Sequence, residues 1–228
     1  MYIRPFNRLL YNSYLGHGTA GTFTLREEEM RAVRMVRLLL VMTALEPCAF
    51  CRSLESFEMR AATVIIEFDA SLQGIGLIWY AIDPLGEEHP LGGLSVDISA
   101  MGFEEDSQFQ NTAEFIAATL GLLGIIYLGL EGSVVKMRGD SISALCWSTS
   151  LRFKGCRTAN AAVVFTLLLI QTKTTIVGFE FLTSEENVRT DKLSRGESVA
   201  AVSREFSNLS GLSELFFPES IAQTFTDC

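Results

Sequence analysis

The stretch TVIIEFDASLQGIGLIWYAI, residues 63–82, decides the fold. Its first part, residues 63–68, is β-branched and apolar and reads as a strand; residues 75–82 are apolar and aromatic and read as a second. Between them, Asp69-Ala-Ser-Leu-Gln-Gly-Ile-Gly76 supplies glycines that suit a tight reversal. Pro84-Leu-Gly86 marks another turn, so residues 63–98 read as a three-stranded antiparallel meander whose last strand covers 91–98.

Downstream, a polar loop with Glu104, Glu105 and Asp106 leads into a long apolar helix over about 108–130. Residues 133–138 read as a strand, 141–150 as a short helix, 152–157 as a basic loop, 159–172 as a helix and 174–182 as a strand. A final helical turn or two covers 187–194. The order βββ-α-β-α-α-β-α predicts an α/β fold, a mixed five-stranded sheet flanked by helices. The Ser-rich segment 198–228 has scattered apolar residues without a firm period and is expected to be loosely ordered.

Upstream, residues 1–60 read as a small N-terminal helical lobe. Thr24 and Glu27 have capping-box spacing, and Met30, Val33, Val36 and Leu40 follow at helical intervals. Glu46-Pro47 ends that helix, because the residue before proline is biased away from helical geometry. Cys48 and Cys51 form a CxxC, yet no second pair or nearby histidine completes the four ligands of a structural zinc site.

The whole chain has 228 residues, 48% hydrophobic and 20% charged, which excludes a disordered chain, a collagen-like fibre and a coiled coil. A core of ordinary size needs no covalent staples at this length. Five cysteines, odd and sparse, point to a reduced protein, and no basic-then-apolar leader opens the sequence; the expected setting is intracellular, cytoplasmic or nuclear. The longest uncharged stretch, 115–130, would span about 24 Å as a helix, short of the roughly 30 Å of a hydrocarbon core. A buried helix is therefore expected there, and no membrane partner.

The net charge of −9 is unevenly spread: residues 1–60 carry 8 Lys/Arg and 6 Asp/Glu, residues 61–228 carry 10 and 21. An acidic domain grips phosphates poorly, because that contact needs Lys and Arg. Bound divalent cations would reverse the local sign.

Single acids interrupt otherwise apolar elements at four places. Asp69 ends the first strand, Glu114 opens the most hydrophobic helix, Asp140 follows the fourth strand, and Asp191 sits in the last short helix. A buried carboxylate needs a partner, a proton or a metal. Taken singly, Asp69 also reads as a turn residue, Asp140 as a helix N-cap and Glu114 as a capping acid after Thr112.

Taken together, this order of Asp, Glu, Asp and Asp resembles the ribonuclease H domains of retroelement reverse transcriptases. Asp69-Ala-Ser with Gly74 and Gly76 resembles their "DAS…G.G" opening, and Asn111-Thr-Ala-Glu114 their "N..E" helix start. Gly139-Asp140-Ser-Ile-Ser-Ala-Leu-Cys-Trp147 is similar to "TDS..AL..W". Asn187-Val-Arg-Thr-Asp191-Lys-Leu-Ser-Arg195 is similar to "N..AD.LSR", the most specific of the four. Arg4-Pro-Phe-Asn-Arg-Leu-Leu-Tyr11 and the helix after Thr24 resemble the thumb or connection region that precedes ribonuclease H in DIRS-like and Ty3-like elements. Two features depart from the pattern. The loop before the last acid is Thr183-Ser-Glu-Glu186, where many members carry a histidine, and the basic substrate-binding protrusion of some cellular members is missing.

The resemblance implies a ribonuclease H-like domain over 61–197 that hydrolyses the RNA strand of RNA–DNA hybrids, beside the polymerase portion of a reverse transcriptase. It implies two Mg²⁺ ions, with Mn²⁺ as a substitute, held by Asp69, Glu114, Asp140 and Asp191. Asp69 would be shared by both ions, Glu114 and Asp140 would complete one site, and Asp191 the other. Such a pair activates water and relieves charge on the leaving oxygen. Ser71, Gly74, Asn111, Arg152, Lys154, Arg157 and Asn187 would hold the hybrid, read by its shape and 2′-hydroxyls with little sequence preference. An integrase-type nuclease shares the fold but carries its glutamate last. The rival reading is a catalytically inactive ribonuclease H-like domain kept as an interaction or tether module.

Overall fold

The computed structural model describes residues 27–45, 61–98, 107–150 and 156–217. The Arg4–Tyr11 segment, Cys48 and Cys51, the 99–106 loop, Arg152, Lys154 and residues 218–228 lie outside the described residues.

Three antiparallel strands open the domain: β1 (Val64–Ala70), β2 (Gly74–Ile82) and β3 (Glu88–Asp97). Ser71 builds the first reversal, its hydroxyl accepting from the Gln73 and Gly74 amides. Ahead of them in sequence lies helix α1 (Glu27–Leu45), and Glu46-Pro47, expected to end it, lies outside the described residues. On it Met30 and Val36 are half-buried while Val33 and Leu40 are exposed. After β3 come α2 (Ser107–Tyr127), β4 (Val134–Gly139), α3 (Ile142–Ser150), α4 (Cys156–Thr172), β5 (Thr175–Phe181) and α5 (Val188–Ser194).

β4 lies parallel to β1 and β5 parallel to β4, giving the order β5-β4-β1-β2-β3. The parallel pair β1/β4 brings the carboxyl ends of two strands side by side, because the long α2 carries the chain back between them. A sixth strand, β6 (Ser213–Glu214), adds parallel to β3. The sheet is therefore six-stranded where the sequence pattern predicted five.

The sheet is covered on both faces. On one, Val64, Ile66, Phe68, Leu77 and Trp79 meet α2, and α4 packs against α2 in the same core. Helix α2 lies inside this core: Phe115, Ala117, Ala118, Leu122 and Ile125 are all fully buried, so its apolarity is that of a core helix. Its glycines allow the approach. A Cβ on Gly124 would stand 2.2 Å from the Trp79 ring, whose Nε1 donates to the Gly121 carbonyl at 2.8 Å. Thr112 and Thr158 hydroxyls share a hydrogen bond of 2.8 Å that fastens α4 to α2.

On the other face, Ile65, Ile78 and Tyr80 are covered by Leu193 of α5 and by Val199, Val202, Leu209 and Leu212. The described part of the segment expected to be loosely ordered is thus folded, with helix α6 (Val199–Glu205), a 3₁₀ turn (Ser207–Leu209) and β6. The reason is hydrophobic. Each aliphatic side chain buried against the sheet contributes roughly 1.5–3 kcal/mol, a gain that a helix of seven residues could not show as periodicity.

Candidate active site

Asp69 is the penultimate residue of β1, and Asp140 follows the last residue of β4. In the parallel register Glu67 faces Arg138, so Asp69 and Asp140 stand two residues further along neighbouring strands. Glu114 comes up from the second turn of α2. Carboxylate oxygens of Asp69, Glu114 and Asp140 lie within 4.8 Å of one another. Asp140 is not the cap of α3: Ser141 takes that part, its Oγ accepting from the Ala144 amide at 3.3 Å.

Helix α5 holds Asp69 from above. The Asn187 side-chain amide donates to Asp69 Oδ1 at 2.7 Å, and the Ser194 hydroxyl to Asp69 Oδ2 at 2.6 Å. Thr190 Oγ1 donates to Asn187 Oδ1 at 2.7 Å, which fixes the amide with its NH₂ toward Asp69. Gly76 makes the approach possible, since a Cβ there would meet the Thr190 carbonyl oxygen at 2.2 Å. Asp191, on the same helix, lies outside the three-acid cluster but near enough for its charge to raise both Asp69 and Asp140. Its carboxylate receives Arg195 Nε at 2.8 and 2.9 Å.

Crowding of like charges in a dry place sets the electrostatics. Asp69 and Glu114 are buried, Asp140 half-buried. Burial pushes the Asp69 carboxyl up to about 6, with the Ser194 hydrogen bond acting against it and the Asp140 and Asp191 charges adding to it. Glu114 is pushed well above the usual carboxylate range by burial and then by the charges of Asp69 and Asp140. Asp140 is raised too, chiefly by burial. Three adjacent acids in that state require protons or a cation.

A cation fits. Glu114 Oε2 is buried with no hydrogen-bond partner, while Oε1 receives Gln110 Nε2 at 3.3 Å. A buried carboxylate with one orphaned oxygen, grouped with two further carboxylates, is a hard, oxygen-only donor set of the type that suits Mg²⁺ or Mn²⁺.

The residues expected to hold nucleic acid are placed as follows. Ser71 Oγ donates to the Ser194 carbonyl at 2.7 Å, stapling the β1–β2 turn to the end of α5. A Cβ on Gly74 would meet the Val96 and Ser194 carbonyl oxygens at 2.6 and 2.8 Å. Asn111, half-buried, lies one turn before Glu114. Asn187 is buried on Asp69. Arg157 is the second residue of α4, its side chain outside the described residues. In the Thr183–Glu186 loop, the Thr183 amide and hydroxyl both donate to Glu186 Oε2 at 2.9 Å. His89 pairs with Asp83 on the β2–β3 hairpin. The sequence reading passed over Ser194 and Arg195, although both stand in the quoted Asn187–Arg195 segment and their spacing from Asp191 puts them one turn away.

The strand order, with acids at the ends of β1 and β4, is that of a mixed α/β fold, a six-stranded sheet flanked by helices. No family model matches the chain, and no curated protein matches it. Among solved structures it is similar to RNase H1 from the halophilic archaeon Halobacterium salinarum, at 18% identity over 57% of this chain and 92% of that one, with a TM-score of 0.41. It is similar to LC11-RNase H1, isolated from compost by a metagenomic approach and solved in complex with an RNA/DNA hybrid: 17% identity, 61% and 99% coverage, TM-score 0.41. The foamy viral protease-reverse transcriptase in complex with RNA/DNA hybrid matches at 16% identity over 82% of this chain and 22% of that one, with a TM-score of 0.35.

Proposed function

We propose that this chain is a divalent-metal-dependent endonuclease that hydrolyses the RNA strand of RNA–DNA hybrids. We further propose that it acts inside the cell beside the polymerase portion of a retroelement reverse transcriptase. The observation that carries the reading is the convergence of Asp69, Glu114 and Asp140 from three separate elements, with one Glu114 oxygen buried and unpartnered.

Asp69, Glu114 and Asp140 are the residues to hold one cation, and Asp69 with Asp191 a second. When bound, Mg²⁺ or Mn²⁺ supplies an activated water and charge relief at the leaving 3′-oxygen. The protein's part is preparation. Asn187 and Ser194 fix the Asp69 rotamer from opposite oxygens, and such outer contacts tune both affinity and orientation. The raised acids would have to be deprotonated to hold a cation, so affinity would grow with pH. Arg195 pairs with Asp191, which would have to release it to hold a second cation. Ser71, Gly74, Asn111 and Asn187 border the acids, and with Arg152, Lys154 and Arg157 they are the residues proposed to face the hybrid. Recognition through 2′-hydroxyls and helix shape would explain how an acidic domain with few cations handles nucleic acid.

The second reading, an inactive interaction or tether domain, draws on that Arg195–Asp191 pair, which withholds the fourth acid from the cluster. A labelled RNA–DNA hybrid and a matched DNA duplex, incubated with the chain in Mg²⁺ or Mn²⁺, separate the two. Cleavage of the hybrid's RNA strand alone is expected. Metal binding without cleavage of either duplex would favour the tether.

A further inference from the structure

One buried acid takes no part in the site just described. Glu67, in the middle of β1, is 0% exposed, and neither of its carboxylate oxygens has a hydrogen-bond partner. Two guanidiniums flank it: Arg138 Nη1 at 3.6 Å from Oε2 and Arg189 Nε at 3.9 Å from Oε1. Arg138 runs on over the Tyr80 ring, 5.9 Å from its centroid, to donate to Glu88 and Glu180. Arg189 Nη1 donates to the Tyr80 hydroxyl at 3.3 Å.

The positions of these three residues share one relation to the acids. Glu67 stands two residues before Asp69, Arg138 two before Asp140, and Arg189 two before Asp191. In strands a two-residue step keeps the same face, so Glu67 and Arg138 lie beneath Asp69 and Asp140 on that side of the sheet, while α5 lays Arg189 across it. Each of the three elements that bring an aspartate to the site thus also sends one charged group into a common buried contact. An acid this deeply buried is costly unless paired, and removing either guanidinium leaves Glu67 with less compensation. The contact therefore ties β1, β4 and α5 to one another directly below the cluster.

We propose that Glu67, Arg138 and Arg189 form a positioning triad that sets the spacing of Asp69, Asp140 and Asp191 for cation binding. The inference rests on the metal-dependent reading above. None of the three touches the reacting atoms; they act through the backbones that carry the aspartates.

The test is Mn²⁺ affinity by titration calorimetry, with the melting temperature in EDTA measured in parallel. Wild type is compared with Glu67→Gln, Arg189→Met, their double variant, and Lys192→Ala as a control on α5 that removes only surface ion pairs, to Glu205 and Glu197. Glu67→Gln keeps the volume, and Arg189 is part-exposed, so both variants should fold. Each single variant is expected to bind Mn²⁺ three- to tenfold more weakly, the double variant no more weakly than the worse single, and the control as wild type. Mn²⁺ affinity unchanged within twofold in the triad variants, with only the EDTA melting temperature lowered, would reduce the triad to a purely structural contact and overturn the proposal. Absence of Mn²⁺ binding by wild type would instead overturn the metal-dependent reading itself, and the triad's role with it.

Discussion

The Asn187 side chain donates to Asp69 Oδ1 at 2.7 Å across 118 residues of sequence, and Ser194 binds the other oxygen of the same carboxylate. Two hydrogen bonds from one short helix thus hold a strand-end acid in a single rotamer. Replacing either donor leaves the carboxylate in place but free to turn. Ser194→Ala and Asn187→Ala are each expected to lower Mg²⁺ affinity or hybrid cleavage by about 10–100-fold. A titration of cleavage rate against Mg²⁺ concentration checks this; rates and midpoints within twofold of wild type would contradict it.

The acid cluster also predicts a pH effect with a definite sign. Asp69 is raised from 3.8 to about 6 by burial, and Glu114 and Asp140 are raised as well. An acid that holds its proton more tightly when folded opposes folding as pH rises past its unfolded value, and the loss is complete above its folded value. In EDTA, Asp69→Asn should therefore gain stability relative to wild type as pH climbs from about 4 to about 7, by at most ~3 kcal/mol. Urea midpoints of both proteins across that range measure it. A difference that stays flat would contradict the electrostatics. Mg²⁺ at neutral pH should then raise wild type and not the variant, because only the charged cluster binds it.

Much of this was legible in residues 63–82, because β-branched runs and a glycine-bearing turn report local geometry. The three clustered acids, Asp69, Glu114 and Asp140, were legible because each stands at the end of, or inside, a largely apolar element, whereas Asp191 lies outside the cluster on a short charged helix. Ser194 was less so, since a serine has many uses and only the fold shows that it reaches Asp69. Glu67 carries the same signal as the aspartates, an acid within an apolar strand, but its partners are 71 and 122 residues away and no local pattern names them. The outer layer was not legible at all. Val199 and Val202 make one apolar pair on a two-turn helix, and β6 has two residues; neither is long enough to show a period.

Close approach at Gly76 gives a stability prediction. A methyl group there would stand 2.2 Å from the Thr190 carbonyl oxygen and 2.7 Å from Leu193 Cβ, both on α5. Gly76→Ala should cost about 1–3 kcal/mol, the usual penalty of overpacking, and should shift the helix that carries Asn187, Asp191 and Ser194. Equilibrium denaturation gives the first quantity, and loss of the Mg²⁺-induced rise in melting temperature the second. A variant as stable as wild type would mean that α5 does not sit this close to β2.

The second core makes a parallel prediction for the segment that follows the site. Leu209 is fully buried under Ile65, Ile78 and Tyr80, whereas Phe216 is 76% exposed. Leu209→Ala should destabilise by about 2–5 kcal/mol, and Phe216→Ala by no more than about 0.5 kcal/mol. Equal small effects in urea titrations of both variants would show that the segment does not cover the sheet.

The central claim, that acids from β1, α2 and β4 share a cation which drives hydrolysis, is tested most directly by cleavage of a labelled RNA–DNA hybrid in Mg²⁺, wild type against Asp140→Asn purified identically. Cleavage of the RNA strand by wild type, abolished by EDTA and lowered at least a hundredfold in the variant, is the predicted result. Equal cleavage by the two proteins, or none by a wild type shown to be folded, would contradict it.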